Sequence, residues 1–191
     1  MKILFASHNT HKISELRQLL PARVELVSLA DFNYLDEIEE TGKDLMENAF
    51  IKARTVYSLF KLNTIADDTG LEVEALGGAP GVMSARYAGE GKRSEDNIRK
   101  LLKELDGVTN RKARFRTVIS LINNGKEYAF EGVINGTITD SPSGKEGFGY
   151  DPIFKPDGYN LCFAEMDSAT KSSISHRGLA VRQLTSFISK L

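Results

Sequence analysis

Two neighbouring carboxylates, Asp67 and Asp68, follow the apolar run Leu62 to Ala66 and lead into the glycine-rich stretch Thr69 to Gly81. The run predicts a short buried strand. The pair then falls where that strand leaves the sheet, which is where open α/β sheets place their ligands. Adjacent anions repel and are cheapest to keep where a cation or a catalytic role holds them, so the pattern suggests a metal-dependent site. Asp-Asp-Thr-Gly is also ordinary turn chemistry, and a plain strand-to-turn junction fits the same residues.

Three further groups carry potential chemistry. Ser7-His8-Asn9-Thr10-His11-Lys12 lies between an apolar run and a helical pattern. Free N–H groups at a helix start, a nearby lysine and several hydroxyl or amide side chains suit phosphate oxygens, and equally suit a simple N-cap cluster. The pattern G-x-x-x-x-G-K-[ST] is absent, so position and residue type alone carry the phosphate reading. His8 and His11 lack a third spaced ligand and read as surface or capping residues. Glu39 and Glu40 precede a helix bearing Lys52, where they would serve a metal–phosphate complex or favour the helix dipole with Lys52 solvated. Gly147-Phe148-Gly149-Tyr150-Asp151-Pro152-Ile153-Phe154, with Lys171 and Ser175-His176-Arg177-Gly178 downstream, offers ring faces between glycines and donors for a planar base. Phe148, Tyr150 and Phe154 also fit as core aromatics on an alternating strand.

The elements that must position these residues follow from periodicity. Ile3 to Ala6 predicts a strand, and Ile13, Leu16, Leu19 and Leu20 a helix ending before Pro21. Val24 to Leu29 predicts a second strand and Asp31 to Glu40 an acidic loop. A helix opens at Thr41 or Gly42, with Leu45, Ala49, Ala53, Val56, Tyr57 and Phe60 near one face. Ser94 is the expected N-cap of a helix striped by Ile98, Leu101, Leu102 and Leu105 and ended by Asp106-Gly107. Arg114 to Ile122 and Glu127 to Ile134 form a hairpin through Asn123-Asn124-Gly125. Gly144 to Phe154 is a loop running into a strand, and a last helix begins between Ser172 and Ser175.

Composition sets the frame. The 191 residues are 41% hydrophobic and 27% charged, enough apolar material for one domain over residues 1–191. A net charge of -1 provides no field to recruit nucleic acid or an anionic membrane. The one cysteine, Cys162, excludes an internal disulfide and a cysteine zinc cluster. With no apolar stretch of membrane-spanning length, the expected home is the cytoplasm.

Taken in order along the chain, the motifs resemble the Ham1-like family of inosine triphosphate pyrophosphatases. They are Ser7 to Lys12, Glu39-Glu40-Thr41-Gly42, Glu47-Asn48-Ala49, Lys52-Ala53, Asp67 to Gly81, Ser84-Ala85-Arg86-Tyr87, Phe148 to Phe154, and Ser175 to Gly178. The resemblance implies an α/β fold of Maf/Ham1 type: an elongated central mixed sheet with flanking helices, forming two lobes around a nucleotide-binding cleft, in a homodimer. It implies hydrolysis of non-canonical purine nucleoside triphosphates to monophosphate and pyrophosphate. Asp68 would be the catalytic carboxylate and, with Glu39, a ligand of Mg²⁺; Glu40 is the neighbouring candidate.

By the same resemblance Asn9 and Lys12 would bind the triphosphate with Ser7 contributing, Lys52 would add a second positive charge, and His8, Thr10, His11 and Thr69 would also be substrate-binding. Phe148, Gly149, Tyr150, Asp151, Lys171, His176 and Arg177 form the nucleoside pocket. Thr69 stands where the family often has serine and keeps the hydroxyl. Three alternatives are weighed beside this. An aspartyl-phosphate phosphatase needs a second Asp two residues after the nucleophile, whereas here the two are adjacent. A non-catalytic nucleotide sensor needs no paired Asp68 and Glu39, and a related house-cleaning pyrophosphatase would differ in base preference.

Overall fold

In the computed structural model, which describes residues 1–191, strand β1 (Lys2–Phe5) has Ile3, Leu4 and Phe5 all fully buried. A strand apolar on both faces is a central one. It lies between β2 (Glu25–Ser28) and β3 (Thr64–Val73), parallel to both, in a six-stranded mixed sheet ordered β2-β1-β3-β4-β5-β6. Strands β4 (Lys112–Asn123) and β5 (Lys126–Ile138) form the hairpin, and β6 (Phe154–Pro156) closes the edge antiparallel to β5. The helices are α1 (Thr10–Leu19), α2 (Leu45–Phe60), α3 (Ser94–Glu104), α4 (Ser168–Ile174) and α5 (His176–Ile188). The architecture is α/β, and no helix is long and apolar enough to cross a membrane.

The chain divides into two compact units, and the division falls within β3, β4 and β5. The first comprises residues 1–68, 117–132 and 177–191. Side chains alternate across a strand, so its sheet feeds two separate cores. Ile3, Phe5 and Ile65 pack with Leu16 of α1 and Val181 and Leu184 of α5. Leu4, Ala6 and Ala66 pack with Ala53 and Val56 of α2. The second unit, residues 69–116 and 133–176, has one core of Leu71, Val73, Leu101, Leu105, Phe115, Phe154 and Phe163.

Several expected boundaries move, each for a local reason. The short strand over Leu62 to Ala66 is instead the ten residues of β3, and Asp67 and Asp68 lie inside it rather than at its exit. Leu71 and Val73 restore the apolar pattern beyond them, and the ordinary-turn reading of this segment is excluded. Helix α2 starts at Leu45, later than Thr41 or Gly42, because the Asp44 carboxylate accepts the Glu47 N–H and caps it. Ser94 is the first helical residue of α3, with Arg93 at the cap. The last helical region is two helices broken at Ser175, and α4 begins at Ser168 because Asp167 caps it through the Thr170 N–H. The second strand is shorter than Val24 to Leu29, and the hairpin strands are longer than expected.

Candidate functional site

The alternation that builds the two cores also separates the two carboxylates. Asp67 follows the side of β3 that carries Ile65, toward α1 and α5, and Asp68 follows Ala66 toward α2. Adjacent in sequence, they therefore occupy opposite faces and meet different cations.

On the first face Lys12 Nζ donates to Asp67 Oδ1 at 2.9 Å. Arg177 Nε and Nη2 donate to Asp67 Oδ2 at 3.3 and 3.2 Å, and Arg177 Nη1 donates to Glu15 at 2.5 Å. Lys12 is set by α1, whose cap is Asn9: its side-chain oxygen accepts the Lys12 N–H at 3.1 Å. Ser7 Oγ accepts the Asn9 N–H in the same turn. Burial alone would raise the Asp67 pKa, but Lys12, Arg177 and Lys52 outweigh it and hold the carboxyl well below the usual range. Lys12 is itself pushed down by burial and by the cations Lys52 and Arg177, against the pull of Asp67.

On the other face Lys52 Nζ donates to Asp68 Oδ1 at 3.2 Å and to Glu40 Oε1 at 2.5 Å. Lys52 is buried, so the solvated-flank reading does not hold. Burial works to lower its pKa, and Asp68, Glu40 and Asp67 reverse that and raise it. Asp68 moves up, chiefly through burial, with Glu40 and Asp67 adding to it and Lys52 and Lys12 opposing. Its second oxygen, Oδ2, is buried and accepts no hydrogen bond. A buried carboxylate with one oxygen tied and the other open suits cation binding or proton abstraction.

Not every candidate joins these groups. Glu39 is exposed, and it is Glu40 that reaches Lys52. His8 lies parallel to the Tyr34 ring at 6.4 Å, its Nε2 3.1 Å from the Asp36 carbonyl oxygen. Thr10 and His11 are exposed on the first turn of α1, and Thr69 is half-buried in β3.

In the second unit Lys171 Nζ donates to Asp151 Oδ2 at 2.7 Å, both side chains buried, and lies 5.1 Å from the centre of the half-buried Phe148 ring. Asp151 Oδ2 also accepts the Phe148 N–H at 2.7 Å, fixing the turn through Gly149. Tyr150 is in the core, its hydroxyl donating to the Ser84 carbonyl at 2.9 Å. His176 is buried and stacks on Phe115 at 4.6 Å and 18°. The turn depends on Gly147, at φ +76°, where a Cβ would lie 2.2 Å from Asp151 Oδ2. Gly147→Ala is expected to cost about 1–3 kcal/mol through strain and displacement of Asp151, read as a lower urea midpoint.

Sequence reasoning missed Glu15, Phe115 and Ser84 as partners. Glu15 was findable, being three residues after Lys12 on one helix face. Nothing in the sequence pairs Phe115 with His176.

The model of the Ham1 family matches residues 3–187. A Christiangramia forsetii protein named dITP/XTP pyrophosphatase is 50% identical over 190 residues, covering 100% of both chains. One of the same name from Porphyromonas gingivalis is 51% identical over 188 residues, covering 98% of this chain and 97% of its own. The structure of the Staphylococcus aureus Ham1 protein superposes with a TM-score of 0.91 at 38% identity, covering 100% of this chain and 99% of that one. With a family model matched over residues 3–187 and relatives about half identical along the whole length, the chain belongs to the Ham1 family.

Proposed function

We propose that this chain hydrolyses non-canonical purine nucleoside triphosphates, of the dITP and XTP class, to the monophosphate and pyrophosphate. The observation that carries the reading is Asp68 Oδ2: a buried acceptor without a hydrogen bond, on a carboxylate of raised pKa, beside Lys52. Relatives of the same length at about half identity carry the name dITP/XTP pyrophosphatase.

The residues fit Mg²⁺ as the cofactor. No group of three or more His, Cys, Asp or Glu forms a cage for a metal. Mg²⁺ at nucleotide sites needs none, taking one or two carboxylates, several waters and the substrate's phosphate oxygens. Asp68, through Oδ2, and Glu40 would hold it, with Glu39 the neighbouring carboxylate. When bound it would neutralise phosphate charge and lower the barrier to attack at phosphorus.

The chain's own residues do the rest. Asp68 orients a water for in-line attack on the α-phosphorus and takes its proton. Lys12 and Lys52 stabilise charge on the departing pyrophosphate from fixed positions, and the N–H groups of the Ser7 to His11 turn and the Thr69 hydroxyl add donors. Asp67 is the counter-ion that holds Lys12 and Arg177. For the nucleoside, Phe148 offers a ring face, with Gly149 allowing close approach and Tyr150 anchoring the turn from the core. Asp151, Lys171 and His176 supply the polar contacts. Arg177 gives Nε, Nη1 and Nη2 to Asp67 and Glu15, so its part in selecting the base is largely positional. A 6-oxo purine accepts where adenine donates, and a mismatched buried donor costs about 1–3 kcal/mol. Guanine shares the 6-oxygen, so its rejection lies at the 2-position.

We place this work in the cytoplasmic nucleotide pool, in a homodimer, with no nucleic-acid or membrane partner; a net charge of -1 favours neither. The deciding experiment is product analysis with inosine triphosphate and Mg²⁺ beside the adenosine and guanosine compounds. Monophosphate plus pyrophosphate, formed much faster from the inosine compound, is expected. Orthophosphate plus diphosphate would reject attack at the α-phosphorus, and binding without turnover would favour a sensor.

A further inference from the structure

We propose that Asn48 is a positioning residue that sets where the Glu40 carboxylate stands. It lies in the first turn of α2 and is 1% exposed, yet that helix end is already capped by Asp44. Its side-chain oxygen instead reaches back and accepts the Gly42 N–H at 2.7 Å. A buried amide that the helix does not need, spent on a backbone donor outside it, decides the path of the preceding loop.

That path matters because of what it carries. Residues 34 to 42 have no helix or strand to hold them, and Glu40 sits two residues before Gly42. Three side chains of α2 fasten this approach in sequence. Glu47 accepts the Lys43 N–H at 2.8 Å, Asn48 accepts the Gly42 N–H, and one turn further Lys52 takes the Glu40 carboxylate and Asp68. The approach is close enough that a Cβ on Gly42 would lie 2.7 Å from Asn48 Oδ1 and 2.7 Å from Glu47 Cβ. Without the Asn48 bond the loop gains backbone freedom at Gly42, and the carboxylate spends less time at the Lys52–Asp68 pair. The role rests on the reading of Glu40 as a carboxylate that meets the cation.

The test is Mn²⁺ binding to the intact chain, by electron paramagnetic resonance or calorimetry, in the absence of nucleotide. Asn48→Leu keeps the volume and removes the acceptor, and it is expected to raise the Mn²⁺ dissociation constant about five- to tenfold, as loss of one buried hydrogen bond predicts. The same variant should lower kcat by a similar factor with KM for the nucleotide within about twofold. Asn48→Asp retains an acceptor for Gly42 and should stay within about twofold of the unsubstituted chain. Unchanged Mn²⁺ affinity in the leucine variant overturns the proposal. If that variant does not fold, Gly42→Ala tests the bond from its other end: the same weakening supports the role and unchanged affinity overturns it. Glu40→Gln separates the two readings. If it leaves Mn²⁺ affinity unchanged, Glu40 is not the cation's carboxylate and the proposal falls with it; if it weakens binding while Asn48→Leu does not, only the positioning role falls.

Discussion

Asp68→Asn is expected to lower turnover by about 10²–10⁴-fold while nucleotide still binds within a few-fold of the unsubstituted chain. Asparagine preserves the shape and keeps an oxygen for Lys52 Nζ, now 3.2 Å from Asp68 Oδ1. It loses the charge that, in the proposed mechanism, would hold a cation and the basicity that would take a proton from water. On the proposed assignment, substrate grip would rest mainly on groups this change leaves in place, among them Lys12, the Asn9 turn and the Phe148 loop. Stability should hold or rise, because burial penalises the ionised Asp68 and pushes its pKa up. Single-turnover rates beside equilibrium binding of inosine triphosphate provide the check. A variant that keeps most of its turnover would remove Asp68 from the chemistry and return the chain to the class of nucleotide sensors.

How much of this was legible in the sequence depended on whether the signal was local. The stripe of Leu45, Ala49, Ala53 and Val56 predicted α2, and the turn chemistry around Asn124-Gly125 predicted the hairpin, because both are read within a few residues. Asp67 and Asp68 stood out as a pair of adjacent anions, and in the structure Lys12, Arg177 and Lys52 meet them. Their placement was misjudged, since two charges inside a buried strand contradict local propensity and are tolerated only through Lys12, Lys52 and Arg177. Those partners lie 55, 16 and 110 residues away, beyond any pattern read along the chain. The choice between Glu39 and Glu40 was of the same kind. An irregular loop has no period to say which carboxylate turns inward, and in the structure it is Glu40 that reaches Lys52.

Asp67→Asn should have the largest effect on stability, about 3–5 kcal/mol, because it removes the charge that both Lys12 and Arg177 were buried against. Lys12 loses the carboxylate 2.9 Å from its Nζ, and Arg177 loses the one 3.2 Å from its Nη2 while keeping its pair with Glu15. The sign with pH follows from the folded pKa. Asp67 is depressed below its ordinary value of 3.8, against the opposing push of burial, by Lys12, Arg177 and Lys52. Its stabilisation is therefore complete above about pH 5 and is lost as pH falls from there through 3.8 toward the lower folded value. Urea unfolding of the two proteins should show a wide gap at pH 7 that narrows by pH 3. The cost belongs to the stranded cations rather than to the absent carboxylate, so adding Arg177→Met to Asp67→Asn should recover part of the loss. Strict additivity of the two substitutions would mean that Asp67 and Arg177 do not act as a pair, and that the depressed pKa has its source in Lys12 and Lys52.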